Sequence, residues 1–299
     1  MSTVRVIARL DIKGPNLVKG IHLEGLRVLG KPQDFAGKYY LQGVDELIYI
    51  DTVASLYGRR NLLETVKKAS GNIFIPLTAG GGVRSIDDIR QLLRAGADKA
   101  AINTAAIANP ALIKEASRVF GSQCIVVSIA AKSRDHGRYE ALTDNGREKS
   151  GKDVFDWARE AVDLGAGELL ITSIDREGTG KGYDLDLVQT IATAVPVPVI
   201  ACGGAGKKEH CLEVIRQARA DAVCASSIFH YFRLQEITSS EHFQEEGNVE
   251  FIKSTRGSTQ FMDQRMQPID ISDLKHYLVG QGIACRQLQG GGAAYVRVS

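Results

Sequence analysis

The sequence has few cysteines, no long apolar run and almost no net charge, and each shortage argues against a class of protein. None of its five cysteines forms a Cys-x-x-Cys pair, so a zinc ribbon or a dithiol redox site is not indicated. No apolar stretch approaches the roughly 18 residues of a membrane span. The formal charge of +2 indicates no basic surface for nucleic acid. We therefore expect no nucleic-acid or membrane partner, no metal and no cofactor.

Three of the cysteines lie in apolar runs (CIVVSI, VIACGG and AVCASS), and we interpret them as small buried hydrophobic residues. The first residues, MSTVRVIARLDIKG, lead into a strand-like run without the shape of a secretion signal. We expect a cytoplasmic protein.

Short apolar runs alternate with amphipathic helical stretches. Candidate helices cover residues 85–95, 153–164 and 271–280. Continuously apolar runs are typical of strands buried on both faces, and we assign them to residues 4–10, 46–50, 73–78, 99–102, 124–129, 168–172, 197–201 and 222–225. Eight strands with helical crossovers predict an α/β fold, a parallel (β/α)8 TIM barrel.

The chain also repeats itself. Residues 77–82 read LTAGGG and residues 200–205 read IACGGA, and matches at nearly the same spacing link three further strands. The repeat predicts two (βα)4 half-barrels. We expect a single barrel over residues 1–286, with an insertion at about 232–268 before the last helix and a flexible tail at 287–299. A loop as long as this insertion is usually functional or disordered.

A glycine motif follows the third and the seventh strand, and each motif precedes a helix. Glycine lets the backbone approach an anion closely, and the start of a helix offers free N–H groups. Polar residues end the strands that follow and could complete a phosphate cup in each half; the candidates are Gly81, Gly82, Asn103 and Thr104 in the first, and Gly203, Gly204 and Ser226 in the second. Tight turns without a ligand are the alternative. Two cups on opposite sides of one mouth predict an elongated bisphosphate.

Several polar residues lie where the strands reach the same mouth. Asp11 ends the first strand and is a candidate general acid or base, or a structural carboxylate. Its counterpart in the second half is Ala130. Lys19, in the first loop, could clamp a phosphate or lie solvated on the surface. Asp51, or Asp175, Glu177 and Gly178 after the sixth strand, could hold ribose hydroxyl groups.

Four charged residues begin strands at the opposite end of the barrel, and they are Arg5, Glu46, Lys99 and Glu168. Strand alternation can point all four inward, where unpaired charges would be costly. They form either a structural ion-pair plug or a gate to a tunnel along the barrel axis.

These residues together resemble the cyclase subunit of imidazole glycerol phosphate synthase, a histidine-biosynthesis family. The resemblance runs from about residue 4 to 229 and resumes at 271–286. Its motifs are LDIK, LVKG, LTAGGGVRS, INTAA, FGSQCIVVSI, LLITSIDREGTGKGYD, VIACGGAG and ADA…SSIFH.

The resemblance implies an ammonia-dependent cyclase/lyase. Its substrate would be a formimino-phosphoribulosyl aminoimidazole carboxamide ribonucleotide, and its products imidazole glycerol phosphate and the aminoimidazole carboxamide ribonucleotide. A glutaminase docked at the barrel's bottom, facing Asp98, would supply ammonia through the four-residue gate. The resemblance adds Thr172 to the substrate-binding residues.

One departure from the family pattern matters most. The family uses two aspartates, and the second is replaced by Ala130, so we expect impaired chemistry. In addition, Arg9 replaces the Pro-Cys-like residues that the family pattern leads us to expect before Leu10 and Asp11, and Glu177 stands where aspartate is common. The alternatives are a paralogue that channels ammonia to another amidation, such as modification of a cell-surface sugar, and a noncatalytic scaffold that activates a glutaminase.

Overall fold

The computed structural model describes residues 3–54, 60–236 and 265–287. Eight strands form the barrel wall: β1 (Arg5–Lys13), β4 (Glu46–Asp51), β5 (Leu77–Gly80), β6 (Lys99–Ile102), β7 (Ile125–Ser133), β10 (Glu168–Ser173), β11 (Val199–Cys202) and β12 (Ala222–Ala225). Two hairpins add β2 (Asn16–Ile21) with β3 (Glu24–Gly30), and β8 (Tyr139–Thr143) with β9 (Glu148–Asp153). The helices are α1 (Pro32–Leu41), α2 (Arg60–Ser70), α3 (Ile86–Arg94), α4 (Thr104–Ala108), α5 (Ala111–Phe120), α6 (Val154–Asp163), α7 (Leu185–Ala194), α8 (Lys208–Arg216), α9 (Ser227–Glu236) and α10 (Ile271–Gly280).

The eight wall strands close into one parallel barrel. Each pairs in parallel with the next, and β1 pairs both with β4 and with the last strand, β12. The predicted (β/α)8 barrel is confirmed.

Three predicted helices also appear, each starting after its cap. The Ser85 hydroxyl accepts the Asp88 N–H before α3. Asp153 and Asp270 cap α6 and α10 in the same way.

The predicted starts of two strands were wrong. The run at 73–78 forms a strand only from Leu77, and the run at 197–201 forms one only from Val199. Pro76 and Pro198 lie immediately before these strands, and proline has no N–H to donate to a ladder. Their carbonyl groups instead accept the N–H groups of Leu47 and Leu169.

A hairpin follows the first wall strand of each half, and neither was predicted. Strand β2 pairs antiparallel with β1, and β8 pairs antiparallel with β7. The turn between β8 and β9 uses Asn145 and Gly146, both with positive φ. Such an Asn-Gly turn between alternating residues is a strong hairpin signal, which the sequence interpretation missed.

Three layers of side chains follow one another along the barrel axis. The first layer, at the starts of the strands, consists of charged residues. Above them an apolar cluster fills the interior, with Ile7, Ile48, Val126, Leu170 and Ile200 fully buried. The carboxyl ends of the strands carry the polar residues of the mouth. Of the three cysteines expected to be buried, Cys124 is only half-buried because it precedes β7.

The segment after α10 returns to the start of β1. Val4 forms a parallel bridge with Cys285, and its N–H donates to the Ala284 carbonyl at 2.8 Å. Lys275 Nζ and Arg286 Nε both donate to Asp45 Oδ1, at 2.6 and 2.9 Å. These contacts fasten the described C-terminal end to the barrel.

Helix α9 continues to Glu236, so the first residues of the predicted insertion are helical. Residues 237–264 and the tail from 288 lie outside the described part. The chain returns at Arg265, and the Gln267 N–H donates to the Gly206 carbonyl at the mouth. Within residues 3–54, 60–236 and 265–287, no helix has the length and apolarity needed to cross a membrane.

Candidate active site

A cavity of about 550 Å³ opens at the carboxyl ends of the strands. Seven of the predicted site positions line it: Asp51, Gly81, Gly82, Asn103, Thr104, Ala130 and Thr172. They come from five different wall strands or the loops after them, which explains how residues far apart in sequence meet. Barrel active sites lie on this face.

The first glycine cup forms the wall after β5. Gly81 has φ +102°, and a Cβ there would lie 2.3 Å from the Asp51 carbonyl oxygen. Only glycine fits this backbone. Asn103 Nδ2 donates to the Leu142 carbonyl, whereas Asn103 Oδ1 is buried without a hydrogen-bond partner among the described residues. Thr104 Oγ1 accepts the Asp144 N–H at 3.0 Å.

The second glycine cup forms a separate, narrow recess. Glu177, Gly178, Gly203, Gly204 and Ser226 line it together. At Gly204, φ is +107° and a Cβ would lie 2.1 Å from the Gly182 carbonyl oxygen, so a side chain is again excluded. The predicted residues of the second half therefore do meet, but in a tighter space than those of the first half.

Asp51 is a polar group of the cavity wall with a perturbed pKa. Burial raises the pKa of its carboxyl group, while the N–H groups of Val53 and Ala54 act in the opposite direction. A carboxyl group with a raised pKa in a cavity can donate a proton nearer neutral pH than an ordinary aspartate.

Lys19 is 4% exposed, so its interpretation as a solvated surface lysine was wrong. It lies on β2 and forms an ion pair with Glu177 of the recess. Burial would lower the pKa of Lys19, but the Glu177 carboxylate raises it above its ordinary value. The pair fixes both side chains beneath the second cup.

Asp11 is 3% exposed and lies within β1. Its Oδ1 accepts a hydrogen bond from Arg9 Nε at 2.8 Å. Arg9, rather than Asp11, is the residue of this pair that lines the cavity. Ala130 pairs with Thr172 across the sheet, and its methyl group packs with Leu23, Leu142 and Ile174.

The four charged residues at the other end form a closed ring. Arg5 Nη1 donates to Glu46 Oε2 at 2.9 Å, and Lys99 Nζ donates to the same oxygen at 3.0 Å. Both cations also pair with Glu168. Burial would lower the pKa of Arg5, but the two glutamates raise it. In this structure ion pairs therefore link the four side chains at the starts of β1, β4, β6 and β10.

Asp98 lies beside this ring on the same face. Its Oδ2 accepts the Leu77 N–H at 2.8 Å, which fixes the entry into β5. Asp98 also lines a recess with Phe74, whose side chain is 78% exposed. Sequence reasoning missed Phe74, because the run that contains it looked like a buried strand.

Comparison with known proteins gives the family. A family profile described as "Histidine biosynthesis protein" matches residues 5–235. The chain belongs to this family. It is similar to imidazole glycerol phosphate synthase subunit HisF of Legionella pneumophila, at 65% identity over 209 residues, which are 70% of this chain and 99% of that protein. It is also similar to the subunit HisF of Gluconacetobacter diazotrophicus, at 49% identity over 231 residues, which are 77% of this chain and 89% of that protein.

Membership of the histidine-biosynthesis family confirms the resemblance drawn from the motifs. The matched range ends at residue 235, so it takes in both glycine cups and all four ring residues. It also takes in Ala130, Arg9 and Glu177, the three departures from the family pattern. Thr172 connects Arg9 with Ala130, because its hydroxyl group accepts from Arg9 Nη1 while its backbone pairs with Ala130.

Proposed function

We propose that this chain is an ammonia-dependent cyclase/lyase subunit of the imidazole glycerol phosphate synthase type. It would convert a formimino-phosphoribulosyl aminoimidazole carboxamide ribonucleotide into imidazole glycerol phosphate and aminoimidazole carboxamide ribonucleotide. The observation that carries the proposal is the pair of glycine cups, at Gly81 and Gly204, on opposite halves of a barrel of this family. Two such cups suit a substrate with a phosphate at each end.

The roles of the site residues follow from their positions. Backbone N–H groups of the cups would hold the two phosphates, and the side chain of Asn103, which lines the first cavity, would contact the ligand there. Asp11 would be the acid–base group retained in the first half. Ala130 supplies no such group in the second half, and loss of one typically costs about 10²–10⁴-fold in rate.

Turnover of this substrate with ammonium as the nitrogen source tests the proposal. We expect slow formation of imidazole glycerol phosphate by the chain itself and faster formation by Ala130→Asp. Asp11→Asn in the Ala130→Asp background is the matched control, which should return the rate to the slow level. If neither the chain nor Ala130→Asp forms product, the proposed activity is wrong.

We also propose that a glutaminase docks on the ring face and that the ring gates ammonia. The exposed Phe74 beside Asp98 gives this face an apolar contact next to a fixed carboxylate. Phe74→Asp should reduce glutamine-dependent turnover in the presence of the glutaminase and leave ammonium-dependent turnover unchanged. Equal loss in both assays would contradict docking at this face.

Two alternatives are not favoured. Both relatives carry the name of the histidine-pathway synthase, so nothing in the comparisons favours amidation of a cell-surface sugar. A noncatalytic scaffold would not need Asp11 or the two cups. Rescue of a cyclase-deficient histidine auxotroph by the Ala130→Asp chain would argue against both.

A further inference from the structure

The loop after β11 carries the second cup and is packed tightly at Gly206, two residues beyond Gly204. A Cβ at Gly206 would lie 2.2 Å from the Arg265 carbonyl oxygen and 2.4 Å from the Gly180 carbonyl oxygen. The Gly206 carbonyl accepts the Gln267 N–H at 2.6 Å. Three backbone segments therefore meet at Gly206, and a contact that moves this residue also moves the cup beside it.

A histidine side chain holds the N–H group of Gly206. His210 lies in the first turn of α8 and is 9% exposed, and the Gly206 N–H donates to His210 Nδ1 at 3.1 Å. Because the backbone is the donor, Nδ1 must be unprotonated to accept this hydrogen bond. The N-cap residue, Lys207, has a side chain without an acceptor, so it cannot cap α8. His210 instead reaches back to the chain before the helix, as the N3 residue of a capping box does.

The imidazole ring also packs against the loop after β10. A Cβ at Gly182 would lie 3.3 Å from His210 Cδ2, so the glycine leaves room for the ring. The Gly182 N–H in turn donates to the Gly204 carbonyl at 2.8 Å. His210 thus contacts Gly206 directly and, through Gly182, reaches Gly204 of the cup.

The surroundings of His210 favour its neutral form. Burial lowers the pKa of the ring below its ordinary value. Glu213 and Glu209, on α8 itself, act in the opposite direction. Lys207 before the helix and Arg176 in the loop after β10 act in the same direction as burial. The ring is therefore neutral near pH 7, with Nδ1 as an acceptor. In acid the protonated ring would turn a donor toward the Gly206 N–H, and two donors cannot form a hydrogen bond.

We propose that His210 is a positioning residue of the second phosphate cup. Its unprotonated Nδ1 holds Gly206 and thereby keeps the cup backbone at Gly203 and Gly204 in the shape that binds a phosphate. Protonation of the ring releases Gly206 and weakens that binding. The inference rests on the proposed function in one respect, because it requires the second cup to hold a phosphate.

Two substitutions of His210 distinguish a hydrogen-bond acceptor from a side chain that only fills space. In His210→Asn, Oδ1 takes the place of Nδ1 as an acceptor and does not titrate, whereas His210→Leu has no acceptor. Calorimetric titration with inorganic phosphate at about pH 7.5 measures binding, and the binding that Gly204→Ala removes belongs to the second cup. We expect His210→Asn to bind as the unaltered chain does. His210→Leu should bind about tenfold more weakly, the loss expected for one buried hydrogen bond.

The pH dependence of phosphate binding is a second readout, which a space-filling role would not change. When the pH is lowered from about 7.5 to about 5, the phosphate ion gains a proton in every sample. The dissociation constant of the unaltered chain divided by that of His210→Asn therefore isolates the histidine, and it should rise from about one toward about ten. His276→Leu, which removes an exposed histidine on α10, is the matched control and should behave as the unaltered chain does at both pH values.

Equal phosphate affinity in the unaltered chain and in His210→Leu at about pH 7.5 would overturn the inference. A parallel loss of affinity by the unaltered chain and His210→Asn in acid would also overturn it. In both cases the cup would stand, because its phosphate binding would still depend on Gly204. If the unaltered chain binds no phosphate that Gly204→Ala removes, the second cup and the inference both fail. The pH comparison uses only the unaltered chain and His210→Asn, so it decides the question even if His210→Leu does not fold.

Discussion

Replacement of Glu46 by glutamine tests whether the charged ring stabilises the barrel. Glu46 is 1% exposed and accepts hydrogen bonds from Arg5, Lys99 and Thr78. Without its charge, Glu168 alone must balance two cations. Removing one partner of a fully buried ion pair costs about 3–5 kcal/mol. Arg5 and Lys99 are 27% and 18% exposed, so water compensates part of that loss.

We therefore expect Glu46→Gln to lower the free energy of unfolding by roughly 2–3 kcal/mol, somewhat less than a fully buried pair would lose. Urea denaturation followed by circular dichroism measures this loss as a lower midpoint at an unchanged slope. Glu160→Gln is the matched control, because it breaks a surface pair with Lys152 at 44% and 31% exposure. That change should cost about 0–1 kcal/mol. Equal losses in the two variants would refute the reasoning.

Three further predictions concern the recess and a buried histidine. Gly204→Ala should abolish phosphate binding in calorimetry, because its Cβ would meet the Gly182 carbonyl. Lys19→Met leaves the Glu177 carboxylate buried and unpaired, so it should cost about 3–5 kcal/mol in urea denaturation, and adding Glu177→Gln should recover part of that loss. Burial lowers the pKa of His230 to about 3 from 6.5, so the unfolded chain binds a proton that the folded chain does not. The free energy of unfolding keeps its full contribution from the neutral His230 above pH 6.5. This contribution is lost as the pH falls toward 3, by at most about 1.4 kcal/mol per pH unit. His230→Gln should therefore reduce the dependence of the free energy of unfolding on pH between about pH 6 and 5.

Matched variants control each of these. Gly37→Ala adds the same methyl group where nothing lies within 4 Å, so it should leave phosphate binding intact. His136→Asn removes an exposed histidine, and the free energy of unfolding of this variant should depend on pH as it does in the unaltered chain. An additive effect of the Lys19 and Glu177 changes would contradict their pairing.

The sequence sufficed for the features that recur along the chain. Continuous apolar runs predicted the wall strands, and the repeated glycine motifs predicted the tight turns after β5 and β11, because each depends on a local pattern. The strand predicted at residues 73–76 was wrong because it, too, relied on local pattern. Ile73 and Phe74 look like strand residues, but the strand begins only after Pro76, and Phe74 is exposed.

Pairings between distant charges were beyond what sequence reasoning could reach. Nothing in the spacing shows that Lys19 meets Glu177, since the contact depends on a hairpin that brings β2 under the loop after β10. Arg9 was visible only as a departure from a family pattern. Its contact with Asp11, two residues along one strand, and with Thr172 across the barrel became apparent in three dimensions.

The bridge between Val4 and Cys285 has a consequence for engineering. Both ends of the described barrel lie on the ring face, within hydrogen-bonding distance of each other. A short linker could therefore join them and new termini could be opened in a loop at the opposite face, because chain ends that lie close together favour circular permutation. Conversely, a domain fused directly to residue 4 or to residue 285 would be tethered beside Arg5, at a high effective concentration over the ring face of the barrel.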